Sequence, residues 1–404
     1  MCRATRKGEV GNGFAFFLAV RGRHLAGPAV FNPQSFLQTA VEVPSKSPFI
    51  LALRAAAALT ILAHHFALYA PLRDWAAPLA GDVLDWLARY ARATQVFFVV
   101  GGYVAARTIG ARLWSPRQLG RFAIQRYCRL GLPYLAVIAL VIPIYAFARG
   151  WVTDDVLGSP ATLAQLLAHV FFLQDVLGYE PLSAGLWFVC INFQLTFAYA
   201  LILSLEHRFG RNDGAWFLLI GWSCAIFSLF YFNLNPGWES WGLYFFPYFF
   251  MGVLVHRAVV HGERASFLAY QLLFIIAVCL AWRWRLVIAM IFGTLLFVAE
   301  FSGLGRRWPR AGWVLGLGKI SFSLFLVHFP VLVGALCARL GWTSPEAALA
   351  ALLAAFLLSL AVALLFHRWV EAPAARLSRR FRAPEAARAK PAAQEGQRGL
   401  VFEH

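Results

Sequence analysis

The sequence contains few charged residues. Only 14% of its 404 residues are Asp, Glu, Lys or Arg, whereas 60% are hydrophobic. Soluble domains contain about 25% charged residues, because their surfaces face water. The composition therefore excludes an ordinary soluble fold and indicates a membrane protein.

Acidic residues are the scarcer of the two kinds of charge. The chain has 19 Asp and Glu residues against 36 Lys and Arg residues, a formal net charge of +17. In a soluble protein this excess would suggest nucleic acid binding, but in a membrane protein the arginines of cytoplasmic loops set the orientation. We therefore expect the lipid bilayer, and no nucleic acid, as a partner.

Several common functional motifs are missing. We find no glycine-rich phosphate loop, Cys/His metal cluster, GxSxG nucleophile motif or internal repeat. The six cysteines lack metal-ligand spacing, and most lie in apolar runs, where they read as small buried residues. We therefore expect no metal and no bound cofactor, and any chemistry must lie within the apolar segments.

Apolar runs of about 20 residues, enough to cross a bilayer, recur along almost the whole chain. They predict an all-α polytopic membrane protein with about ten transmembrane helices. The segment 163–178 is short and interrupted by polar residues, so we interpret it as interfacial or re-entrant. The ten predicted spans are 49–70, 94–110, 130–148, 185–205, 214–233, 239–257, 265–282, 285–303, 313–335 and 345–369.

The distribution of arginine supports this count. Ten spans with a cytoplasmic amino terminus place the acid-free stretch 107–129 and the tail after Arg368 on the cytoplasmic side, as the positive-inside rule requires. The outer stretch 71–93 balances three arginines with three aspartates. Arg283 and Arg285 fall in a tight outer turn and count against the scheme. We expect a multi-pass protein of the cytoplasmic (inner) membrane with both termini inside.

The two ends of the chain carry little fold information. Residues 1–48 contain one short apolar piece without a cleavage pattern, which indicates a cytoplasmic extension rather than a signal peptide. Residues 378–404 are predicted to be a basic, disordered cytoplasmic tail. The transmembrane domain is expected over 49–377.

The first span carries an arginine and two adjacent histidines. Ionisable groups in the hydrocarbon are costly and mark functional sites by default. Arg54 and His65 are eleven positions apart, so they share a helix face and lie about 16 Å apart along the axis, whereas His64 points about 100° away. The alternative is that Arg54 extends to the headgroups and the histidines only hold helices together.

A second intramembrane histidine lies at a matching depth. His328 is fifteen positions into the span 313–335, and His65 is sixteen positions into its own. Lys319 and Ser321 lie nearer the cytoplasmic end of the same span. Two histidines at one depth indicate a polar path through the protein, although separate helix-packing contacts remain the alternative.

These residues resemble the acyltransferase 3 family of integral membrane acyltransferases. The stretch RAAAALTILAHH looks like the Arg-x10-His signature that opens the family, and four further stretches follow in the same order. The resemblance covers about 49–377. The further stretches are TQVFFVVGGYVAAR at 94–107, similar to FFxxSG; RFAIQRYCRLGLPY at 121–134, similar to the basic entry to the third span; GKISFSLFLVHFP at 318–330, similar to iSYxLYLxHfP; and FHRWVEAPAARL at 366–377, similar to the closing E-x-P segment.

Two positions depart from the family pattern. Gly101 stands where the FFxxSG segment has serine, and Asn192 stands where a glutamate often follows a tryptophan near the fourth span. Asparagine forms hydrogen bonds but cannot act as a base or carry charge. The departures put the subfamily and the acceptor in question.

The resemblance implies transfer of an acyl group, often acetyl, from acyl-CoA to a hydroxyl of a carbohydrate, a lipid-linked glycan or another cell-envelope acceptor. Such a transfer needs a base that titrates near neutrality, and His65 is the predicted catalytic base. His328 is predicted to orient the acceptor or assist the base. The predicted substrate-binding residues are Arg54, Arg126 and Arg129 for the donor phosphates, with Lys319, Ser321, Asn192 and Glu371, the last of which could equally make a helix-end contact.

Two other classes of protein fit the same pattern. A secondary transporter or flippase for a polar envelope precursor would also bury His, Arg and Lys, but it often shows repeated halves. An inactive membrane scaffold would tolerate Gly101 and Asn192.

Overall fold

Every regular element that the computed structural model describes is helical. The described residues are 47–109, 115–150, 157–210, 214–337 and 344–381, so nearly all of the predicted extension 1–48 and of the tail 378–404 lies outside them. The α-helices are α1 (Pro48–Leu68), α2 (Leu72–Tyr90), α3 (Thr94–Ile109), α4 (Pro116–Ala148), α5 (Leu163–Val170), α6 (Leu186–Arg208), α7 (Ala215–Phe230), α8 (Gly242–Val260), α9 (Arg264–Leu280), α10 (Trp284–Phe301), α11 (Gly312–Cys337), α12 (Pro345–Phe366) and α13 (Ala372–Arg379), with a π-helical turn at His367–Glu371 joining the last two.

Within the described residues, eight helices are long and apolar enough to cross a membrane. They are α1, α4, α6, α7, α8, α10, α11 and the continuous run of α12 and α13. This confirms the predicted all-α polytopic membrane fold. The other two predicted spans, 94–110 and 265–282, coincide with helices of 16 and 17 residues, α3 and α9.

Two connecting segments contain helices of their own. The stretch 71–93, which the charge pattern assigns to the outer side, folds as α2, and α2 packs against α1 and α12. The segment 163–178 begins with α5, whose eight residues reach only about 12 Å. That length is too short to cross the bilayer, in agreement with a segment that does not span.

Serine followed by proline starts three of the long helices. Proline suits the first helical position because its fixed φ is helical and no amide donor is lost there. Ser115 and Ser344 also cap their helices by accepting a hydrogen bond from the backbone N–H of Gln118 and Ala347. At Ser47, before α1, the hydroxyl instead donates to Glu300 Oε1 at 2.6 Å on α10. The amino end of α1 is therefore held to α10.

The longest helix contact, between α3 and α8, depends on two glycines. A Cβ atom at Gly102 would lie 1.8 Å from the Phe249 carbonyl oxygen, and one at Gly252 would lie 1.9 Å from that of Val99. No other residue permits so close an approach of the two backbones. This packing of small residues is typical of helices that associate within membranes.

The helices that carry the histidines form a second closely packed group. α11 lies along α1 on one side and α12 on the other. A Cβ atom at Gly318 of α11 would lie 2.2 Å from the Leu51 carbonyl oxygen of α1. Because Gly318 is close to one end of the shared contact and His328 is ten residues further on, the imidazoles lie about 15 Å away along the axis.

The two arginines that the positive-inside rule leaves unexplained have structural roles. Arg283 Nη1 donates to the Leu229 carbonyl at 2.8 Å, and Nη2 donates to that of Ala277 at 3.1 Å. These carbonyls belong to the last turns of α7 and α9, where a cation is favourable. Arg285 forms an ion pair with Glu239. Both arginines thus stabilise helix ends and a connecting loop.

Candidate active site

His65 on α1 and His328 on α11 are in direct contact. The Nδ1 atom of His65 lies 2.6 Å from Nε2 of His328. The ring centroids are 4.9 Å apart, and the ring planes differ by only 10°. His328 is buried, whereas His65 is half-buried. The matching depth of the two residues therefore corresponds to a hydrogen bond between them.

The hydrogen bonds determine where the protons lie when both rings are neutral. His328 Nδ1 lies 3.2 Å from the Leu324 carbonyl oxygen, which can only accept, so this nitrogen carries hydrogen. Nε2 of His328 then accepts from Nδ1–H of His65. The lone pair of His65 is thereby placed on Nε2, and no described group forms a hydrogen bond with that atom. The arrangement is that of an oriented base.

His64 points away from this pair, as its place on the helix predicts. Its Nδ1 atom lies 3.3 Å from the Leu87 carbonyl oxygen on α2, and its ring centroid is 5.4 Å from that of His65. Its contacts are with α2 rather than α11. It is therefore a neighbour of the pair and not a member of it.

The three arginines predicted to bind the donor lie near one another. Arg54 interacts electrostatically with Arg129 and with Glu371, and Arg126 interacts with Arg129. Arg54 belongs to α1, whereas Arg126 and Arg129 belong to α4. Because α1 is continuous from Pro48 to Leu68, Arg54 and His65 lie about 16 Å apart along one helix.

Arg126 has few hydrogen-bond partners for a guanidinium group. Its Nη2 donates to Thr196 Oγ1 at 3.1 Å, and its buried Nε has no acceptor among the described residues. Thr196 Oγ1 in turn lies 3.4 Å from Asn192 Oδ1 on the same helix. Arginine supplies five donors, so the site retains capacity to bind an anion.

The two departures from the family pattern are in contact. A Cβ atom at Gly101 would lie 3.3 Å from Asn192 Oδ1. A serine and a glutamate at these positions would place a hydroxyl against a carboxylate beside the Arg126–Thr196 pair. Here the carboxylate is absent, which leaves the charge of Arg126 without that partner.

Glu371 makes the helix contact that the sequence left as one of two alternatives. Its Oε2 atom accepts hydrogen bonds from Ser323 Oγ at 2.6 Å and from His367 Nδ1 at 2.9 Å. Ser323 is on α11, five residues before His328, and Glu371 ends the π-helical turn. The carboxylate therefore joins α11 to the end of the last span, and it also interacts electrostatically with Arg54.

Lys319 and Ser321 do not join these groups. Lys319 is exposed, and the buried Ser321 hydroxyl donates to the Gly318 carbonyl of its own helix at 3.0 Å. Neither residue contacts the histidine pair within the described part of the chain. Their predicted role in substrate binding gains no geometric support.

Four groups of the site were not anticipated: Ser323, His367, Thr196 and the Leu324 carbonyl. A signal existed for three of these contacts, because each joins groups four residues apart along a helix: His367 to Glu371, Thr196 to Asn192, and His328 to the Leu324 carbonyl. The bonds of Ser323 to Glu371 and of Thr196 to Arg126 depend instead on which helices are neighbours. Helical periodicity specifies the face of a residue but not its partner on another helix.

Polar groups in α5 and in the connection that follows it serve packing. His169 is buried, with Nδ1 donating to the Gln165 carbonyl at 2.8 Å and Nε2 accepting from the Leu182 amide at 3.2 Å. Burial lowers the pKa of His169 and raises the pKa of Asp175 to about 6. His169, in the last turn of α5, and Asp175, in the loop after it, are both buried, and desolvation disfavours their charged forms.

Comparison with known proteins assigns this arrangement to a family. The acyltransferase 3 family model, described as an acyltransferase domain, matches residues 48–368. The match includes both histidines, all three arginines and the Gly101–Asn192 contact. No curated protein and no solved structure matches the chain.

Proposed function

Because the chain belongs to the acyltransferase 3 family, we propose that it transfers an acyl group, in the first instance acetyl, from acyl-CoA to a hydroxyl of a carbohydrate or another cell-envelope acceptor. The observation that carries this proposal is the hydrogen-bonded pair of His65 and His328. His65 lies on the same helix as Arg54, at a distance that suits the long pantetheine arm between the phosphates and the sulfur of the donor.

His65 acts as the general base in this mechanism. Its Nε2 atom takes the proton of the acceptor hydroxyl while the hydroxyl oxygen attacks the thioester carbonyl carbon. The carbon–sulfur bond then breaks, and the same Nε2–H returns the proton to the departing thiolate. The products are the acyl ester and free CoA, so atoms and charge balance. General acid–base catalysis of this kind contributes typically about 10²- to 10⁴-fold.

His328 is a positioning residue for that base. By accepting from Nδ1–H of His65 it fixes the tautomer that leaves Nε2 free, and it shares the positive charge while His65 holds the second proton. The Leu324 carbonyl fixes the tautomer of His328 in the same way. This chain of orienting groups follows the logic of a catalytic triad without a carboxylate.

Donor binding is assigned to the arginine cluster around Arg54. Guanidinium groups bind phosphate oxygens with paired hydrogen bonds. The Nε–H group of Arg126 has no acceptor among the described residues and is available to such a ligand. Glu371 holds Arg54 in place electrostatically and is not required to touch the donor. With both termini cytoplasmic, this cluster lies on the side where acyl-CoA is found.

Turnover of labelled acetyl-CoA by the purified full-length protein tests the proposal. We expect release of CoA, by hydrolysis or by transfer to an added saccharide, and loss of that release in His65→Gln. Movement of a saccharide across vesicle membranes without CoA release would contradict the proposal and favour a transporter. Neither activity would favour an inactive scaffold.

A further inference from the structure

A cavity of about 490 Å³ borders the end of α2, where the Leu87 carbonyl oxygen lies 3.3 Å from His64 Nδ1. Its walls come from the end of α2, the loop before α8 and the start of α10. The lining includes four arginines, Arg89, Arg92, Arg283 and Arg285, and one carboxylate, Glu239. The cavity is therefore strongly cationic.

Two of these arginines are already engaged and two are not. Arg283 donates to carbonyl groups at helix ends, and Arg285 binds Glu239 and the Tyr244 hydroxyl. Arg89 and Arg92 are exposed, and their guanidinium groups form no hydrogen bond or ion pair with any described residue. Both guanidinium groups are thus available to a ligand that carries negative charge.

Three aromatic rings, Tyr90, Tyr244 and Trp284, also line the cavity. Tyr90 and Trp284 are in edge-to-face contact, with ring centroids 5.6 Å apart, and the Arg285 guanidinium lies over the Tyr244 ring at 5.7 Å. Both Tyr90 and Trp284 keep more than a third of their surface exposed. Aromatic rings next to cationic groups give the cavity flat apolar surfaces together with charge.

His64 connects the cavity to the catalytic pair. Arg92 and Arg285 both interact electrostatically with the His64 ring, which is 5.4 Å from the ring of His65. The cavity therefore lies on the His64 side of the histidine pair, toward the opposite end of α1 from the arginine cluster around Arg54. This is the position that the second substrate of a two-substrate transfer must occupy.

We propose that this cavity binds the acceptor, and that the acceptor is an anionic saccharide whose carboxylate or phosphate contacts Arg89 and Arg92. The inference rests on the proposed acyl transfer and names the class of its acceptor. The donor cluster cannot supply this recognition, because its arginines face the other end of the path.

Binding without any acyl donor tests the inference separately from turnover. The full-length protein in phosphatidylcholine nanodiscs, which contain no anionic lipid, is titrated with methyl glucuronide, glucose 1-phosphate and the neutral methyl glucoside. At low salt we expect at least one anionic probe to bind tenfold or more tightly than methyl glucoside, and 0.5 M salt should reduce that preference. Preference for one anionic probe alone identifies its group, carboxylate or phosphate, as the one recognised.

The matched variants are the double change Arg89→Gln with Arg92→Gln and, as control, Arg73→Gln on the same helix. Arg73 is paired with Asp74 and Asp85 at the surface. The double variant should lose the preference for the anionic probe, and the control should keep it. No preference in the unaltered protein, or a preference that survives the double change, would overturn the inference.

Further results distinguish a failure of the acceptor-site inference from a failure of the proposed acyl transfer. Binding of free CoA that depends on Arg89 and Arg92 would assign the cavity to the donor and also overturn the inference. Acetyl-CoA turnover without any preference among the saccharides would leave the proposed function standing and remove this inference alone. A preference for an anionic saccharide without acetyl-CoA turnover would support an anionic saccharide site and contradict the proposed acyl transfer.

Discussion

The contact between α3 and α8 differs in kind from the contact between α1 and α11. The first is close because Gly102 and Gly252 let two backbones touch. The second is also close at Gly318, but further along it holds two imidazoles whose nearest nitrogen atoms are 2.6 Å apart. The α3–α8 contact is determined by steric fit, whereas the α1–α11 contact includes the hydrogen bond of the candidate site. Substitutions in the first should therefore reduce stability, and substitutions in the second should reduce activity.

The largest expected effect is on the scaffold. Gly102→Ala would place a Cβ atom 1.8 Å from the Phe249 carbonyl oxygen, so α3 and α8 must separate along their whole contact. We expect a loss of at least about 3 kcal/mol of stability, the upper end for overpacking. The melting temperature and the yield of monodisperse protein in detergent measure this loss.

Gly120→Ala is the matched control for that change. A Cβ atom at Gly120 meets nothing within 4 Å, and the residue lies within α4. Alanine is favoured over glycine in a helix by about 1 kcal/mol, so this variant should melt at the same temperature or slightly higher. Equal melting of the two alanine variants would contradict the role given to the α3–α8 contact.

The next effect in size is on the site. His328→Ala removes the acceptor for Nδ1–H of His65, and we expect kcat to fall about 10²-fold, a size typical of acid–base catalysis, with the KM for acyl-CoA unchanged. His328→Gln keeps an acceptor oxygen and should recover part of the rate. A purely structural role would instead change both constants together or gain nothing from glutamine.

A smaller effect is expected at the donor end. Arg54→Lys keeps the charge but loses the planar fork that suits phosphate, so the KM for acyl-CoA should rise about tenfold, the equivalent of one charge-assisted hydrogen bond. Arg73→Lys, at the surface of α2, should leave it unchanged. An unaltered KM in Arg54→Lys would remove this residue from the donor site.

The smallest effect concerns the loop after α5, outside both helix pairs. Burial raises the pKa of Asp175 from 3.8 to about 6, so the folded state holds this proton more tightly than the unfolded state. Stability therefore falls as the pH rises from about 3.8 to about 6 and stays lower above it. Asp175→Asn removes this loss.

The melting temperature at pH 5 and at pH 8 checks the effect of Asp175. Between pH 5 and pH 8, the melting temperature of the unaltered protein should fall by about 2 °C more than that of Asp175→Asn. Asp82→Asn, an exposed position on α2, should behave as the unaltered protein does. The same pH dependence in all three proteins would show that Asp175 does not contribute.

The sequence predicted the parts of the molecule that depend on a single helix. Apolar length locates the spanning helices, and the count of residues along α1 and α11 places His65 and His328 at one depth. The helix α2 was missed because its two arginines and three aspartates, with Pro78 and Gly81, obscure an apolar stripe that packs against α1 and α12.

The parts that depend on two helices were harder to predict. Glu371 was recognised as a candidate, but its bond to Ser323 requires the end of the last span to lie beside α11. The contact between Gly101 and Asn192 likewise requires α3 to lie beside α6. Such pairings arise from packing in three dimensions, which helical periodicity in one sequence does not predict.

The central claim is that His65 is the base of an acyl transfer, and the rate of CoA release in His65→Gln tests it most directly. We predict a fall of about 10²- to 10⁴-fold with unchanged expression and melting, against a fall of less than tenfold in His64→Gln. Near-normal release in His65→Gln, whatever the behaviour of His64→Gln, would contradict the claim and leave the histidine pair as a packing contact.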